Sequence, residues 1–431
     1  SPKGSDADAG TQEKPFATLA KAQAEVRALI AKGLPEGGVK VLLREGTCYL
    51  PQTLVFTPAD SGAEKAPVVY ASAPGELATF SGGRMVTAKF GPYKEGIYQC
   101  VLDEKGTPPG EASVLFVNGR RQVRARYPNA PVGGSAGHYG RFGFSKDAKW
   151  PKTGPEAVQA KDWGSFELTG TQAFEKPADR NWSRADRAFI HGLASWNSVH
   201  YAIAKLENGR FTLGPGGYQT NRHQRMPVGS FYFDNILEEL DAPGEWYYEP
   251  DERRLYLMPE DGVDLGKARV EIGGLKTVVT FQGEPGKPLR HLRLEGLRIT
   301  HTATTFMEPN YAPSAGDWGV VKCGAVMLEG AEDCAVDGCW FDQVGGTAIF
   351  VANYARRVRV ERCKIVLAGD GGVYLVGARE AAWRNPDKIP WNRSGKHSVP
   401  ELWQPGGAVK YLPAGHDGAT AYHADCVVRG N

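Results

Sequence analysis

A short unit occurs twice in this chain, 24 residues apart. Residues 334–339 (CAVDGC) superpose on 358–363 (VRVERC), and the same shift places Gly345 on Gly369. A fixed period of this length is typical of a solenoid, whose units bury their apolar faces by stacking. Within each unit, short runs alternate in period two and are interrupted by glycine, which indicates strands rather than a helix. The repeat therefore predicts stacked coils of three short parallel strands.

The same unit recurs at uneven spacing. Residues 292–297 (LRLEGL) lie 42 residues before the first copy, and 426–431 (CVVRGN) lie 68 residues after the second. Loops inserted between strands can absorb such differences. We expect an all-β fold, a right-handed parallel β-helix, because parallel crossovers are almost always right-handed. Cys339, Cys363 and Asn431 should form one column, in which a disulfide between the two cysteines is possible but a stack of small buried thiols is favoured.

One amphipathic helix precedes the strands. Apolar residues recur at intervals of three and four from Phe16 to Ile30, and Gly33 ends the pattern. Pro15 is predicted to lie in its first turn. Because the end strands of a β-helix would otherwise pair with another molecule, we interpret this helix as a lid.

The repeat predicts three regions. Residues 1–90 hold the cap helix and the first coils, and 263–431 hold the remaining coils. Between them, no 24-residue spacing survives, and the Asn118-Gly119 dipeptide predicts a hairpin. Residues 91–262 are therefore predicted to be an inserted antiparallel β domain. Asn431 falls on a strand position without a polar cap, so we expect the β-helix to be truncated at the C-terminus.

Composition argues against several classes of partner and site. The formal charge of +2 and the 23% of charged residues indicate no nucleic-acid partner and no disordered segment. Seven cysteines without a CxxC or Cys/His cluster argue against a zinc site. No apolar run reaches the ~18 residues of a membrane span. The chain opens without Met, a form consistent with removal of a signal peptide.

Eight strings occur in this order: 2–6 (PKGSD), 10–19 (GTQEKPFATL), 80–83 (FSGG), 115–119 (LFVNG), 124–129 (RARYPN), 240–247 (LDAPGEWY), 369–372 (GDGG) and 412–416 (LPAGH). Together they resemble right-handed parallel β-helix proteins of glycoside hydrolase family 141, and more loosely the β-xylosidases of family 120. The resemblance spans nearly the whole chain, and 240–247 is its most specific part. It implies a secreted or periplasmic glycosidase acting on an α-L-fucoside or xylan-type plant or algal glycan. We expect a monomer without metal or cofactor.

Glycoside hydrolysis uses two carboxyl groups, one as the acid and one as the nucleophile or base. Asp370, in the GDGG string, is the main catalytic candidate, and its alternative role is to bind backbone amides at a coil corner. His416 and Asp417 are further candidates on a long loop, although such a pair is often merely solvent-exposed. The resemblance implies that other catalytic acids lie beyond Asn431.

Two long loops, 302–322 and 378–423, are rich in tryptophan, proline and charged residues. Indole rings stack on sugars, and guanidinium groups bind carboxylates or sulfates. The predicted substrate-binding residues are Trp318, Arg379, Trp383, Trp391 and Trp403. These side chains could instead hold the loops in place.

Two other functions remain open. A polysaccharide lyase would use a base such as Arg362 or Lys364 with calcium on the uronate. A non-catalytic glycan-binding β-helix would lack a close pair of carboxylates.

Three further acids, Glu239, Asp241 and Glu245, surround a Pro-Gly turn. They are predicted to be structural.

Overall fold

The computed structural model divides into two compact units. Unit 1 comprises Ser1–Arg84, Gly273–Thr305 and Cys323–Asn431, and unit 2 comprises Met85–Ile272 and Phe306–Lys322. The residues described are 1, 3–102, 113–129, 158–162, 165–168, 173–175, 181–194, 197–207, 210–216, 231–308, 312–314, 318–377 and 423–431. This part of the chain is mostly β, and none of its helices is long and apolar enough to cross a membrane.

Three parallel sheets form most of unit 1, and the chain visits them in turn. Sheet I contains, in spatial order, Val39–Leu43, Val68–Ser72, Leu292–Glu295, Ala335–Asp337, Arg359–Glu361 and Val427–Arg429. Sheet II contains Gly46–Tyr49, Ala78–Ser81, Arg298–Thr300, Trp340–Asp342 and Lys364–Val366. Sheet III contains Leu54–Phe56, Val279–Gln282, Gly324–Glu332, Thr347–Arg356 and Val373–Val376, with Leu289–Arg290 and His423–Ala424 paired at its side. We call one passage through sheets I, II and III a circuit.

The strand register agrees with the 24-residue shift. Asp337 pairs with Glu361, which in turn pairs with Arg429. The backbone N–H of Cys363 donates to Oδ1 of Asn431 at 2.7 Å. The predicted column of Cys339, Cys363 and Asn431 is therefore confirmed, and all seven cysteines of the chain are free thiols.

The corners of the circuits explain the repeat in the sequence. Residues in the left-handed region precede the strands of sheet I, where φ is 55° at Asp333, 50° at Arg357 and 54° at Asp425. Five residues further on, the corner between sheets I and II is left-handed again, with φ of 59° at Gly338 and 52° at Arg362. Aspartate and glycine adopt this region more readily than other residues, which is why they recur in the motif.

Ion pairs between circuits support the two arginines at these corners. The guanidinium of Arg357 donates to both carboxylate oxygens of Asp333 at 2.7 and 2.8 Å. Arg362 likewise pairs with Asp337. The side chain at each arginine corner is thus tied to the preceding circuit.

The helix Leu19–Lys32 covers the first circuit. Val26 is buried in the apolar interior with Leu43, Leu54 and Phe56, as a lid requires. The expectation that the helix begins near Pro15 is wrong, because the hydroxyl of Thr18 accepts the N–H of Lys21 and starts it at Leu19.

Unit 2 contains smaller sheets, mostly antiparallel. Their strands are Gly91–Lys94, Ile97–Val101, Leu115–Val117, Arg120–Arg121, Val123–Arg124, Arg126–Tyr127, Val158–Asp162, Ser165–Leu168, Ala173–Glu175, Phe189–Ala194, Asn197–Glu207, Arg210–Gly216, Phe231–Asp234, Glu245–Glu249, Arg254–Leu257, Ala312–Ser314 and Trp318–Val320. Val270–Gly273 and Gly83–Met85, which contain the unit boundaries, extend the sheet of Leu115–Val117. The short 3₁₀ helices in the described part of the chain are Pro58–Asp60 in unit 1 and Ala185–Arg187 and Leu237–Glu239 in unit 2.

The observed division differs from the predicted one at its edges. The predicted insertion is 91–262, whereas unit 2 runs from Met85 to Ile272 and also holds Phe306–Lys322. The whole of that second segment lies within the predicted loop 302–322 of the coil region. Strand pairing across the insertion extends it, since the N–H of Val86 donates to the carbonyl of Val270 at 2.9 Å.

Candidate active site

Asp370 lies at the corner between sheets II and III in the circuit that contains Lys364–Val366 and Val373–Val376. Its carboxylate is exposed. The hydroxyl of Thr347 donates to Oδ2 at 3.1 Å, and the phenol of Tyr374 donates to Oδ1 at 3.2 Å. Thr347 opens the sheet III strand of the preceding circuit, so two neighbouring circuits orient this one carboxylate.

The two donors define the form of Asp370 that fits the site. Both oxygens accept a hydrogen bond, which an ionised carboxylate can do without losing either donor. Burial and the negative charge of Asp370 raise the pKa of Tyr374 to about 12, so the phenol keeps its proton. An exposed carboxylate that accepts a hydrogen bond at each oxygen suits a nucleophile or a general base rather than an acid.

The hydrogen bonds separate the two roles considered for Asp370. A corner aspartate with a structural role was expected to bind backbone amides. In the described part of the chain, the donors to its carboxylate are side-chain hydroxyls. The carboxylate is therefore positioned by the side chains of sheet III rather than by the turn itself.

The glycines beside Asp370 are needed for close packing. A Cβ at Gly369 would lie 2.1 Å from the carbonyl oxygen of Gly345, and one at Gly371 would lie 2.5 Å from the ring of Tyr374. A larger residue at either position would therefore meet neighbouring atoms. The small size of these glycines lets the circuits stack and brings Tyr374 over the turn.

Other polar residues near this part of sheet II are engaged in structural contacts. Asp342 is buried and paired with Arg298. Trp340 lies between two cations, with Arg298 at 4.6 Å and Lys364 at 5.1 Å from its ring centroid. Since both cations occupy this ring, Trp340 is a poor platform for a sugar.

Most of the other predicted site residues lie outside the described part of the chain. They are the catalytic candidates His416 and Asp417 and the substrate-binding candidates Arg379, Trp383, Trp391 and Trp403. Trp318 begins the strand Trp318–Val320 in unit 2, and its side chain is also outside the described residues. Their roles stay predictions.

The three acids around the Pro-Gly turn of unit 2 accept structural hydrogen bonds. Glu239 accepts the indole N–H of Trp182 at 2.5 Å, and Asp241 accepts the side-chain amide of Asn129 at 2.8 Å. Oε2 of Glu245 accepts two backbone N–H groups at 3.3 Å each. These contacts support the predicted structural role.

Sequence reasoning missed Thr347 and Tyr374. A signal was present in the sequence. The 24-residue shift aligns Thr347 with Gly371, which directly follows Asp370, and Tyr374 lies four residues after Asp370. It could be used only once the register of sheet III was known, since hydroxyl side chains are common on strands.

Comparison with known proteins yields one informative likeness. No family model matches the chain, and no curated protein matches it. A solved structure named "Glycoside hydrolase" has a TM-score of 0.66 at 20% identity, covering 88% of this chain and 67% of that one. The chain shares that protein's fold. A second structure, "The complex structure of XylC with xylose", has a TM-score of 0.36 at 13% identity over 84% of this chain and 49% of that one. A TM-score this low carries no argument.

Proposed function

We propose that the protein is a glycoside hydrolase whose unit 1 is a right-handed parallel β-helix and whose chemistry uses paired carboxylates, with Asp370 as one of the pair. The observation that carries this proposal is the exposed carboxylate of Asp370, held by the hydroxyls of Thr347 and Tyr374. The fold shared with a solved glycoside hydrolase supports it.

In this role, Asp370 acts as the nucleophile or as the base that activates water. Both jobs require an ionised group with fixed direction near the anomeric carbon. The two hydroxyl donors supply the direction, because each binds a different oxygen of the carboxylate. The partner acid is proposed to come from a part of the protein outside the described residues.

The proposed substrate is a plant or algal polysaccharide or oligosaccharide of the α-L-fucoside or xylan type. This finer statement, like a secreted or periplasmic location, rests on the resemblance of the sequence strings to families 141 and 120. It is tested by incubating the protein with aryl α-L-fucoside, aryl β-xyloside and xylan and measuring released reducing sugar. A hydrolase gives reducing ends without an unsaturated product, and a chelator leaves the rate unchanged.

Asp370→Asn tests the residue itself. We expect kcat to fall by about 100-fold or more, as for loss of a catalytic acid or base. The melting temperature should change little, because an exposed carboxylate stabilises a fold weakly. The matched control is Asp425→Asn, an exposed corner aspartate with φ of 54°, a conformation that asparagine tolerates.

Three results would contradict the proposal. Full turnover per folded molecule in Asp370→Asn would remove this residue from the chemistry. An unsaturated, calcium-dependent product would indicate a lyase, although Arg362 is already paired with Asp337 and Lys364 lies over Trp340. Binding of these glycans without any cleavage would indicate a non-catalytic module.

A further inference from the structure

The outer face of sheet I carries a column of side chains in which cations alternate with apolar residues. The strand register fixes the order of this column along the stack, which is Lys40, Val69, Arg293, Ala335, Arg359 and Val427. Their sequence neighbours Leu292, Leu294 and Val360 lie in the apolar interior, so the column faces outwards. A cation therefore occurs on this face in every second circuit.

Two of these cations have no acid of their own. In the described part of the chain, the side chains of Arg293 and Arg359 form no hydrogen bond and no ion pair. Arg359 is exposed, and Arg293 is partly exposed. Lys40 differs, because its Nζ lies 3.4 Å from Oε2 of Glu295. The two guanidinium groups are thus free to bind an anion from outside the chain.

The acids of the same face are already paired with other cations. Glu295, Asp337 and Glu361 stand side by side on three successive strands, in the column next to the two arginines. Their cations are, in the same order, Lys40, Arg362 and Arg429. Since each of these acids has a cation, the positive charge of Arg293 and Arg359 remains uncompensated on this face.

The distance between the two arginines suits an extended polysaccharide. Neighbouring strands of a sheet lie about 4.8 Å apart, so Arg293 and Arg359, two circuits apart, are separated by about 10 Å along the stack. An extended chain of β-linked pyranose rings advances by about one such strand spacing per ring. Every second ring therefore comes opposite an arginine, and the ring between them comes opposite the uncharged Ala335.

The chemistry of the two side chains defines the groups that they can hold. A guanidinium group binds a carboxylate or a sulfate ester through two parallel hydrogen bonds. Nε of Arg293 is buried, so this side chain offers its terminal Nη atoms. Uronic acids and sulfated sugars carry the required anions. The phosphates of duplex DNA follow one another at about 3.4 Å along each strand, which does not match cations in alternate circuits.

We propose that the outer face of sheet I binds an acidic polysaccharide that runs along the stack, with Arg293 and Arg359 each holding one carboxylate or sulfate group. The choice of a glycan as ligand rests on the proposed function. The surface itself is distinct from the candidate active site, since Asp370 lies at the corner between sheets II and III. It holds the polymer and takes no part in cleavage.

The test measures binding to the whole protein by calorimetric titration. The probes are κ-carrageenan oligosaccharides, with a sulfate on every second ring, and oligogalacturonate, with a carboxylate on every ring. We expect binding that weakens as salt is added, because exposed charges are screened. Tighter binding of the first probe indicates sulfate esters, and tighter binding of the second indicates uronic acids. Equal binding of desulfated κ-carrageenan or of duplex DNA, or no binding of either probe, would overturn the proposal.

Charge-matched variants test the two arginines. Arg293→Gln and Arg359→Gln should each raise Kd by about tenfold, as expected for loss of a charged hydrogen-bonding group at an exposed site. The double variant should raise it by about 100-fold, since the two sites are separate. Arg44→Gln removes the same charge from an exposed arginine that is paired with Glu76, and it should leave Kd unchanged. All these variants should keep the melting temperature of the wild type.

The outcomes separate this surface from the proposed catalysis. Equal loss of affinity in Arg44→Gln would show a general charge effect and refute a specific surface. Unchanged affinity in the double variant would refute it as well. Arginine-dependent binding without cleavage of any glycan would support the surface and contradict the proposed function.

Discussion

Two hydroxyl groups orient the carboxylate of Asp370, and each can be removed without changing the shape of its side chain. Tyr374→Phe and Thr347→Val keep the ring and the branched carbon but remove one donor each. Hydrogen bonds to charged groups contribute about 1.5–3 kcal/mol, and exposure of the site favours the lower end. We therefore expect each variant to lower kcat by roughly tenfold at an unchanged melting temperature. A large loss of stability with normal kcat would assign these hydroxyls to the fold alone.

Glu245 should make unit 2 sensitive to pH. Burial raises the pKa of its carboxyl to about 8, although two backbone N–H groups oppose the shift, and the side chain is 2% exposed. A pKa raised by folding gives stability that is complete below the unfolded value and is lost as the pH rises through the folded value. Stability should therefore fall between about pH 4.5 and about pH 8.

Glu245→Gln removes this titration and keeps an oxygen for the two N–H groups. Relative to wild type, the variant should gain about 2–4 kcal/mol of stability at about pH 8 compared with about pH 4.5, as measured by denaturant unfolding at both values. Glu252→Gln, an exposed acid paired with Arg254, is the control and should behave alike at both pH values. Equal effects of the two substitutions would show that Glu245 is ionised in the folded protein.

What could be predicted for single residues depended on whether the property is local. Asp370 was predicted as a candidate from its own motif. Its donors depend on strand register, and the pairing of His191 with His200 depends on the antiparallel register of their two strands. A separation of nine residues in the sequence gives no indication of that pairing. For the same reason, the packing of Gly371 against Tyr374 could not be predicted.

Among the elements, the cap helix is joined to the first circuit by a charged pair whose contribution can be measured. Arg27 donates to both oxygens of Asp60 at 2.8 Å each, and the carboxylate is completely buried. Arg27→Met would leave this buried charge without its cation, which destabilises a protein by about 3 kcal/mol or more.

Arg44→Met is the matched control, since Arg44 pairs with Glu76 at the surface. Exposed pairs contribute about 0–1 kcal/mol. Thermal denaturation of both variants should therefore separate them clearly. Similar losses would mean that the helix is not anchored through Asp60.

The strands of the repeat were predictable because two signals agreed. The 24-residue period and the period-two pattern both mark sheets I and II, and the register follows from them. The edges of unit 2 were not predictable in this way. Strand pairing at Val86 and Val270 continues past the point where the sequence rhythm changes.

For the molecule as a whole, the thiols give a simple test of the architecture. All seven cysteines are free, and Cys100, Cys334, Cys339 and Cys363 are buried. Burial raises the pKa of Cys100 and of Cys334 to about 12, which makes them unreactive. Alkylation followed by mass spectrometry should modify seven cysteines after denaturation and spare these four in the native protein. A reductant should leave the melting temperature unchanged, and a mass two hydrogens low would reveal a disulfide.

The left-handed corners also divide each circuit of unit 1 into a stretch of constant length and a stretch of variable length. Successive corners at His291, Gly296 and His301 are five residues apart, and so are those at Asp333, Gly338 and Gln343 and those at Arg357, Arg362 and Leu367. Only the chain between the third corner of one circuit and the first of the next changes in length. New loops can therefore be added on the sheet III side, where Asp370 lies. They would not disturb the ten residues from the first to the third corner of each circuit, which contain the strands of sheets I and II. Diversification by insertion would be confined to the side of the candidate active site, and a copy of one 24-residue circuit should extend the stack by one layer.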